Sequence, residues 1–502
     1  MRPDAVAQHG LMFEGDDDDY FAHATAITFG HFPSYDLEVK GIASRKTPLG
    51  SVGPAIMALP FVFAGSLIDR VTGSPIIEKR TKPVNEASWS LFGFVVAANV
   101  YFWLGCYFLF EAVKRVVGPS YAAWSVILMV LVQGIPLFAV RRPVFSHIFA
   151  FFLQSLAVYV LIKTKTGEQR LRGDYGALTG LGLLCGLISL VRYNNAFIAI
   201  FWPFILLTVK GDLRNKDFWK QIGFTFFIGV LPVLIFRIIP NIINQHVGYV
   251  EAVKMMFEIQ PPLFYLKRII HIFCGYDWGL IFTAPFAVIA LVTVLSERLP
   301  LRKYLLYALV PILFNLYGTI MYKTQGGWYG YRYLIPSLVP ILVLPFAIDT
   351  KNMITKYGKK VLVIFFLTTL TPLLSMLCFQ GNSRDFELQV VEQYFGATDW
   401  GHNTYQKTIW QNVIRHPNVI KIAISRGGIF YLKYLTTNFE DLPYHIKIRY
   451  LKQLSISDHL KIATLYVLPL LLYFLVCCRE WRRHLTSSCE HMLKYAIFPL
   501  SR

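Results

Sequence analysis

Charge is scarce in this chain of 502 residues. Asp, Glu, Lys and Arg together make up 16%, against about a quarter in an ordinary soluble protein. Acidic residues are the scarcer kind, 30 against 49 basic ones, which leaves a formal net charge of +19. Cysteine is sparse too. The seven cysteines form no C-x-x-C and no Cys/His ligand spacing, and Cys477 and Cys478 are adjacent, so neither a disulfide framework nor a zinc site is written in the sequence. The first residues are polar and lack an apolar h-region, so no cleavable signal peptide is visible. No internal repeat is detectable. What is plentiful is apolar surface: 55% hydrophobic and 16% aromatic residues, with a mean hydropathy of +0.47. Soluble helices show one apolar face, whereas these segments are apolar all round, which argues for a polytopic all-α membrane protein.

Apolar segments fall at about 50–69, 88–113, 119–140, 143–162, 176–191, 193–209, 221–240, 277–296, 303–322, 331–348, 359–379 and 462–478. That is about 11 transmembrane helices if the first segment lies flat at the interface. The basic residues are not a nucleic-acid patch. They cluster in short loops beside the spans: Lys114-Arg115, Lys163 to Arg172, Lys210 to Lys220, Arg298 to Lys303, Lys351 to Lys360, and Arg479, Arg482 and Arg483. These fall at every second loop, so all can be cytoplasmic together. The alternation leaves residues 70–87 outside. The first segment contains Pro54, Pro60 and Gly65 and is short for a span. If it crosses, everything before it is cytoplasmic; if it lies flat, everything before it is external. Four regions are expected: an external acidic loop with an interfacial helix (1–87), a transmembrane core (88–379), an extracytoplasmic loop or small domain (380–461), and a last span with a cytoplasmic tail (462–502).

The acidic run GDDDDYFAHA, Gly15 to Ala24, stands out against this basic, apolar background. With the following TPLGSVGPAIMALPFVFAG, it resembles the first extracytoplasmic loop of the GT-C glycosyltransferases, among them aminoarabinose transferases and protein O-mannosyltransferases. That family's pattern is an Asp, an acidic neighbour, and a Tyr four residues after the Asp; Asp16, Asp17 and Tyr20 match it. RRPVFSHIFAFF, GYDWGLIFTAP and GGWYGYRYLIP resemble three further outer-face motifs of bacterial members. The likeness covers roughly residues 13–350. The family has a span before its acidic motif, and this sequence begins about a dozen residues upstream of it.

The resemblance implies an integral-membrane, inverting enzyme of the bacterial inner membrane. It would move a sugar from a polyprenyl-phosphate donor to a hydroxyl of a glycan, lipid or protein acceptor on the extracytoplasmic face. Such a reaction needs a carboxylate as general base and cations at the leaving phosphate. Asp16 is expected to be the base and Asp17 to orient it. Arg192 and Arg332, with Tyr20, His147 and Tyr333, are the candidates for donor phosphate and substrate. Arg192 sits between two apolar segments with almost no loop, where an ionisable group is costly unless paired. A resident metal is not required; Mg²⁺ or Mn²⁺ at Asp17, Asp18 and Asp19 would suit hard oxygen ligands. The bland reading of the run is a solvated acidic turn. Trp328, Tyr329, Tyr331 and Tyr333 read either as an interface belt or as a sugar-stacking wall. Arg141, Arg142, Lys267, Arg268 and His271 read as interfacial cations. A lipid-linked oligosaccharide flippase and an oligosaccharide polymerase are the alternatives. A carrier, however, places its charges within spans and shows repeats, and a polymerase fits the topology with its 380–461 loop but does not explain Asp16 to Tyr20.

Overall fold

The computed structural model describes residues 16–35, 48, 50–73, 88–131, 133–141, 143–168, 171, 173–192, 195–208, 215–243, 261–274, 280, 284–295, 310, 316 and 334–357. Every regular element among them is a helix. In chain order these are α1 (Asp16–Thr28), α2 (Gly53–Thr72), α3 (Trp89–Val117), α4 (Pro119–Val126), α5 (Ile135–Arg141), α6 (His147–Thr166), α7 (Tyr175–Val191), α8 (Ala196–Thr208), α9 (Lys216–Val233), α10 (Ile239–Ile243), α11 (Pro262–Cys274), α12 (Pro285–Leu295) and α13 (Ile335–Tyr357). Among the described residues five helices are long and apolar enough to cross a membrane: α2, α3, α6, the continuous run Lys216–Ile243, and Ile335–Thr355 within α13. The protein is a polytopic membrane protein whose described part is all-helical.

The apolar segments read from sequence through residue 240 each become helix, with two refinements. The segment 119–140 is not one rod. A wide π-turn at Ile127–Leu131 ends it, Gly134 takes φ +82°, and α5 restarts at Ile135. Gln133 bridges the break, its amide donating to the Met129 carbonyl and its Oε1 accepting from Ala287 N–H at the start of α12. Non-helical backbone at such depth is tolerated only when its polar groups are satisfied within the protein. The second refinement is α11, an additional helix where the sequence suggested only an outer loop; it carries Lys267, Arg268 and His271. The segments 303–322, 359–379 and 462–478, and the stretch 380–461, lie outside the described residues, apart from single positions in the first.

The helix directions follow from side-chain pairs. Phe94 meets Phe149, Tyr101 meets Phe152, and Phe108 meets Tyr159 at ring distances of 5.7, 4.8 and 5.1 Å, and Arg115 bonds Glu168. The α3 partners recur every seven residues along one face, as in a coiled-coil seam, and advance together. Thus α3 and α6 run parallel, with the opposite crossing between them made by α4 and α5. The pairs Tyr175 with Phe224 and Gly186 with Gly229 make α7 and α9 parallel in the same way. Small residues at Gly182, Gly186 and Gly229 bring those two backbones close, the usual means of joining helices in lipid.

The molecule therefore has two chemically different ends. One collects Lys114, Arg115, Lys163, Lys165, Lys216 and Lys220 at helix termini. The other collects α1, the starts of α3 and α6, and the end of α7. An interfacial helix was expected at about 50–69. The helix spans Gly53–Thr72 and runs antiparallel along the first half of α3, with Met57 carbonyl accepting from Tyr101 and Asp69 reaching Trp89 and Ser90. Phe63, Leu67, Ile68 and Val71 on its other face are exposed, as apolar solvent would require.

Candidate functional site

Helix α1 begins with the acidic run. Four carboxylates at a helix N-terminus are favoured by the helix dipole, and Ala22, Ala24 and Ala26 behind them are strong helix formers that allow tight packing. Every residue from Asp19 to Ala26 is buried, so the run opens a helix that is packed from its fourth residue onward. Asp16 and Asp17 occupy its first turn, and Asp16 stands one turn before Tyr20.

Two stretches far apart in sequence are linked to this helix, residues 145–147 directly and Arg192 through His147. The Tyr20 hydroxyl donates to Ser146 Oγ at 3.3 Å, and its ring meets Phe145 edge-on at 6.4 Å. The adjacent His147 opens α6, packed edge-on against Phe138 and Phe145 at 4.6 and 5.3 Å. Arg192, at the end of α7, places Nη1 2.9 Å from His147 Nδ1. Both side chains are buried, at 5% and 3% exposure. This contact fixes a tautomer. A guanidinium only donates, so Nδ1 accepts and the imidazole proton sits on Nε2. His147 is then neutral and, with Arg192, forms a compact set of donors suited to an oxyanion.

The sequence expected Tyr20, His147 and Arg192 to share a role, and these three come together. Arg332 and Tyr333 lie outside the described residues. The helix that follows them enters at the same end, because Ser337 Oγ donates to Asn195 Oδ1 at 3.2 Å and the Asn195 N–H donates to the Arg192 carbonyl. Close backbone approach sets the position of Arg192. A Cβ on Gly53 would enter the backbone of Leu190 and Val191, so only glycine lets α2 start against the end of α7.

Asp19 is fully buried, and its Oδ2 accepts the Gly50 N–H at 3.0 Å. One turn later His23 Nε2 donates to the Gly50 carbonyl at 2.9 Å, and its Nδ1 lies 2.7 Å from the Tyr35 hydroxyl. Among the described residues no three His, Cys, Asp or Glu side chains converge as a metal site, and one oxygen of Asp19 is committed to the Gly50 amide. The residues described do not by themselves build a cage for a divalent cation.

Sequence reasoning missed this Gly50 grip, although the i, i+4 spacing of Asp19 and His23 was its one visible sign. It missed Asp69 as well. That buried carboxylate accepts Trp89 N–H and Ser90 N–H at 2.8 Å each, and the Ser90 hydroxyl. Ser88 Oγ accepts Leu91 N–H at 3.1 Å. Between them they satisfy three of the four amides a helix start leaves open. It also missed the buried bond from Trp202 Nε1 to Gln154 Oε1, 2.9 Å, which ties α8 to α6.

No family model and no curated protein matches the chain. The chain is similar to a solved structure, ArnT from Cupriavidus metallidurans in the apo state, at 12% identity and a TM-score of 0.43, over 93% of this chain and 74% of that one. A likeness at that level carries no argument about fold or chemistry.

Proposed function

We propose that the protein is an integral-membrane glycosyltransferase of the GT-C type. It transfers a sugar from a polyprenyl-phosphate donor to a hydroxyl of a glycan, lipid or protein acceptor, with inversion, on the extracytoplasmic face of a bacterial inner membrane. One observation carries the reading: the Tyr20–Ser146 bond and the Arg192–His147 pair assemble the acidic helix, the Ser-His loop and the buried arginine at the end of the bundle opposite the basic loops. The acidic helix and the Ser-His loop are two of the stretches whose sequence resembles that family, and Arg192 is the cation whose place between apolar segments calls for a partner.

In this mechanism the carboxylate of Asp16 takes the acceptor hydroxyl proton as its oxygen attacks the anomeric carbon, and Asp17 orients it. The carbon–oxygen bond to the phosphate breaks, and its electron pair leaves with the polyprenyl phosphate. Arg192 and the Nε2–H of His147 donate to the phosphate as its charge grows, with Arg332, Tyr20 and Tyr333 completing the donor side. The apolar helix faces hold the prenyl chain. No step requires a metal; a divalent cation, where one binds, falls to Asp17 and Asp18 beside Asp19.

The test is Asp16→Asn in purified full-length protein with a polyprenyl-phosphate sugar and a hydroxyl acceptor. Transfer should drop by at least about 100-fold, the contribution of a general base, at unchanged protein level and donor binding. Full turnover by this variant would move the base elsewhere.

A further inference from the structure

We infer that Asp19, His23 and Tyr35 form a positioning latch that holds the acidic helix against the peptide of Gly50, and that Asp19 acts through this hold rather than through its charge on substrate or metal. The inference rests on the function proposed above, and it separates the fourth aspartate from the first two.

The latch is built from two side chains one turn apart on α1. Asp19 takes the N–H of Gly50 and His23 gives its Nε2–H to the carbonyl of the same residue, at 3.0 and 2.9 Å. One residue is therefore gripped at both of its backbone polar groups. Tyr35 closes the unit from the far side. Because Nε2 donates, Nδ1 of the neutral ring accepts the Tyr35 hydroxyl proton, at 2.7 Å, and the two rings meet edge-on at 5.2 Å. Asp19, His23 and Tyr35 are 0%, 6% and 5% exposed, and a buried amide or carbonyl left unmatched is costly, so the grip has no cheap substitute from water. Gly50 is shaped to it. A Cβ there would stand 2.8 Å from Asp19 Cβ and 3.0 Å from the Tyr20 ring, so any larger residue pushes α1 away.

The consequence is positional. The grip joins α1 to the residues that lead into α2, which starts at Gly53 on the end of α7 beside Arg192. The next residue of α1 is joined to the start of α6 through Tyr20 and Ser146. The first turn of α1 is thereby registered to both partners of the donor pair. Displacement of about 1 Å at a reacting group can cost about 100-fold in rate, so a carboxylate that never touches substrate still controls turnover.

The experiment compares Asp19→Ala, Asp19→Asn, His23→Ala, His23→Gln and Gly50→Ala in the full chain, with two readouts. The first is hydrogen exchange over peptides containing residues 16–28 and 48–52. The second is the split of transfer into kcat and donor KM. Both alanine variants at 19 and 23, and Gly50→Ala, should speed exchange in both peptides. Each should lower kcat about tenfold or more with donor KM within about twofold. Asp19→Asn keeps an acceptor for the Gly50 amide, and His23→Gln keeps a donor for its carbonyl; each should recover most of the rate and protection. An Asp19→Asn variant as inactive as Asp19→Ala, with exchange unchanged, would place the charge of Asp19 in the chemistry and overturn the inference. Parent-like exchange in both alanine variants would overturn it independently of any reaction. Intact exchange effects in a parent protein that transfers no sugar would instead reject the glycosyltransferase reading and leave the latch standing.

Discussion

Arg192 and His147 share one short hydrogen bond in a buried setting, and each depends on the other. Arg192 fixes which nitrogen of His147 carries its proton, and His147 helps orient the guanidinium. Arg192→Ala should raise the donor KM at least about tenfold, since a charge-assisted bond contributes about 1.5–3 kcal/mol. Steady-state kinetics with varied lipid-phosphate sugar checks it, and an unchanged donor KM removes Arg192 from the donor side. Arg192→Lys should restore only part of the affinity, because an ammonium keeps the charge and loses the planar fork. Sequence pointed to Arg192 because a cation between two apolar segments needs a reason to be there. It placed His147, 45 residues earlier in the chain, among the same candidates without pairing the two directly.

At the scale of the element, the α2–α3 pair depends on close contact and on a borrowed cap. Gly65 lies against the Trp89 carbonyl, Gly93 against the Phe61 carbonyl, and a Cβ on either would overlap backbone. Gly93→Ala should destabilise the pair by about 1–3 kcal/mol, the usual cost of overpacking. Asp69→Ala should cost about 2–4 kcal/mol, because it strips three donors at the start of α3 and leaves amides unmatched where each costs about 1–3 kcal/mol. Thermal unfolding in detergent measures both, and a parent-like midpoint for Asp69→Ala would show the α3 start to be satisfied in another way. The apolar segments themselves were legible, since length and hydropathy alone decide them. The break at Gln133 and Gly134 and the cap from Asp69 were not, because each is settled by a partner distant in sequence: α12 for the first, α3 for the second.

For the whole molecule, the segregation of its two ends makes a topological prediction. A cysteine placed at Asp18 and one placed at Lys165 should react with a membrane-impermeant maleimide from opposite sides of the membrane. Labelling from the same side would contradict the bundle directions set by the α3–α6 seam. The basic end also carries a pH signature. The hydrogen bond from Arg115 holds the Glu168 carboxyl below its ordinary value of 4.5. A carboxylate depressed in the folded state stabilises above its unfolded pKa, and that contribution is lost as pH falls through the folded one. Any stability difference between parent and Glu168→Gln should therefore be present at neutral pH and vanish on acidification below the carboxylate range. It should also shrink with salt, because the pair is exposed.

By itself the sequence determined that the chain crosses a membrane repeatedly, where its apolar helices between residues 50 and 240 lie, which loops are basic, and that Asp16 to Tyr20, His147 and Arg192 are its unusual polar features. Those follow from local properties: hydropathy over a bilayer's thickness, and the cost of a charge beside apolar residues. Only the tertiary structure decided that Asp19 grips Gly50 while Tyr20 reaches Ser146, and that a glycine at 53 seats one helix on the end of another beside Arg192. Each of these is a contact across tens to more than a hundred residues. That Asp19 of the four consecutive carboxylates meets Gly50 depends on helix register against those partners, and a run of like residues carries no local mark of register.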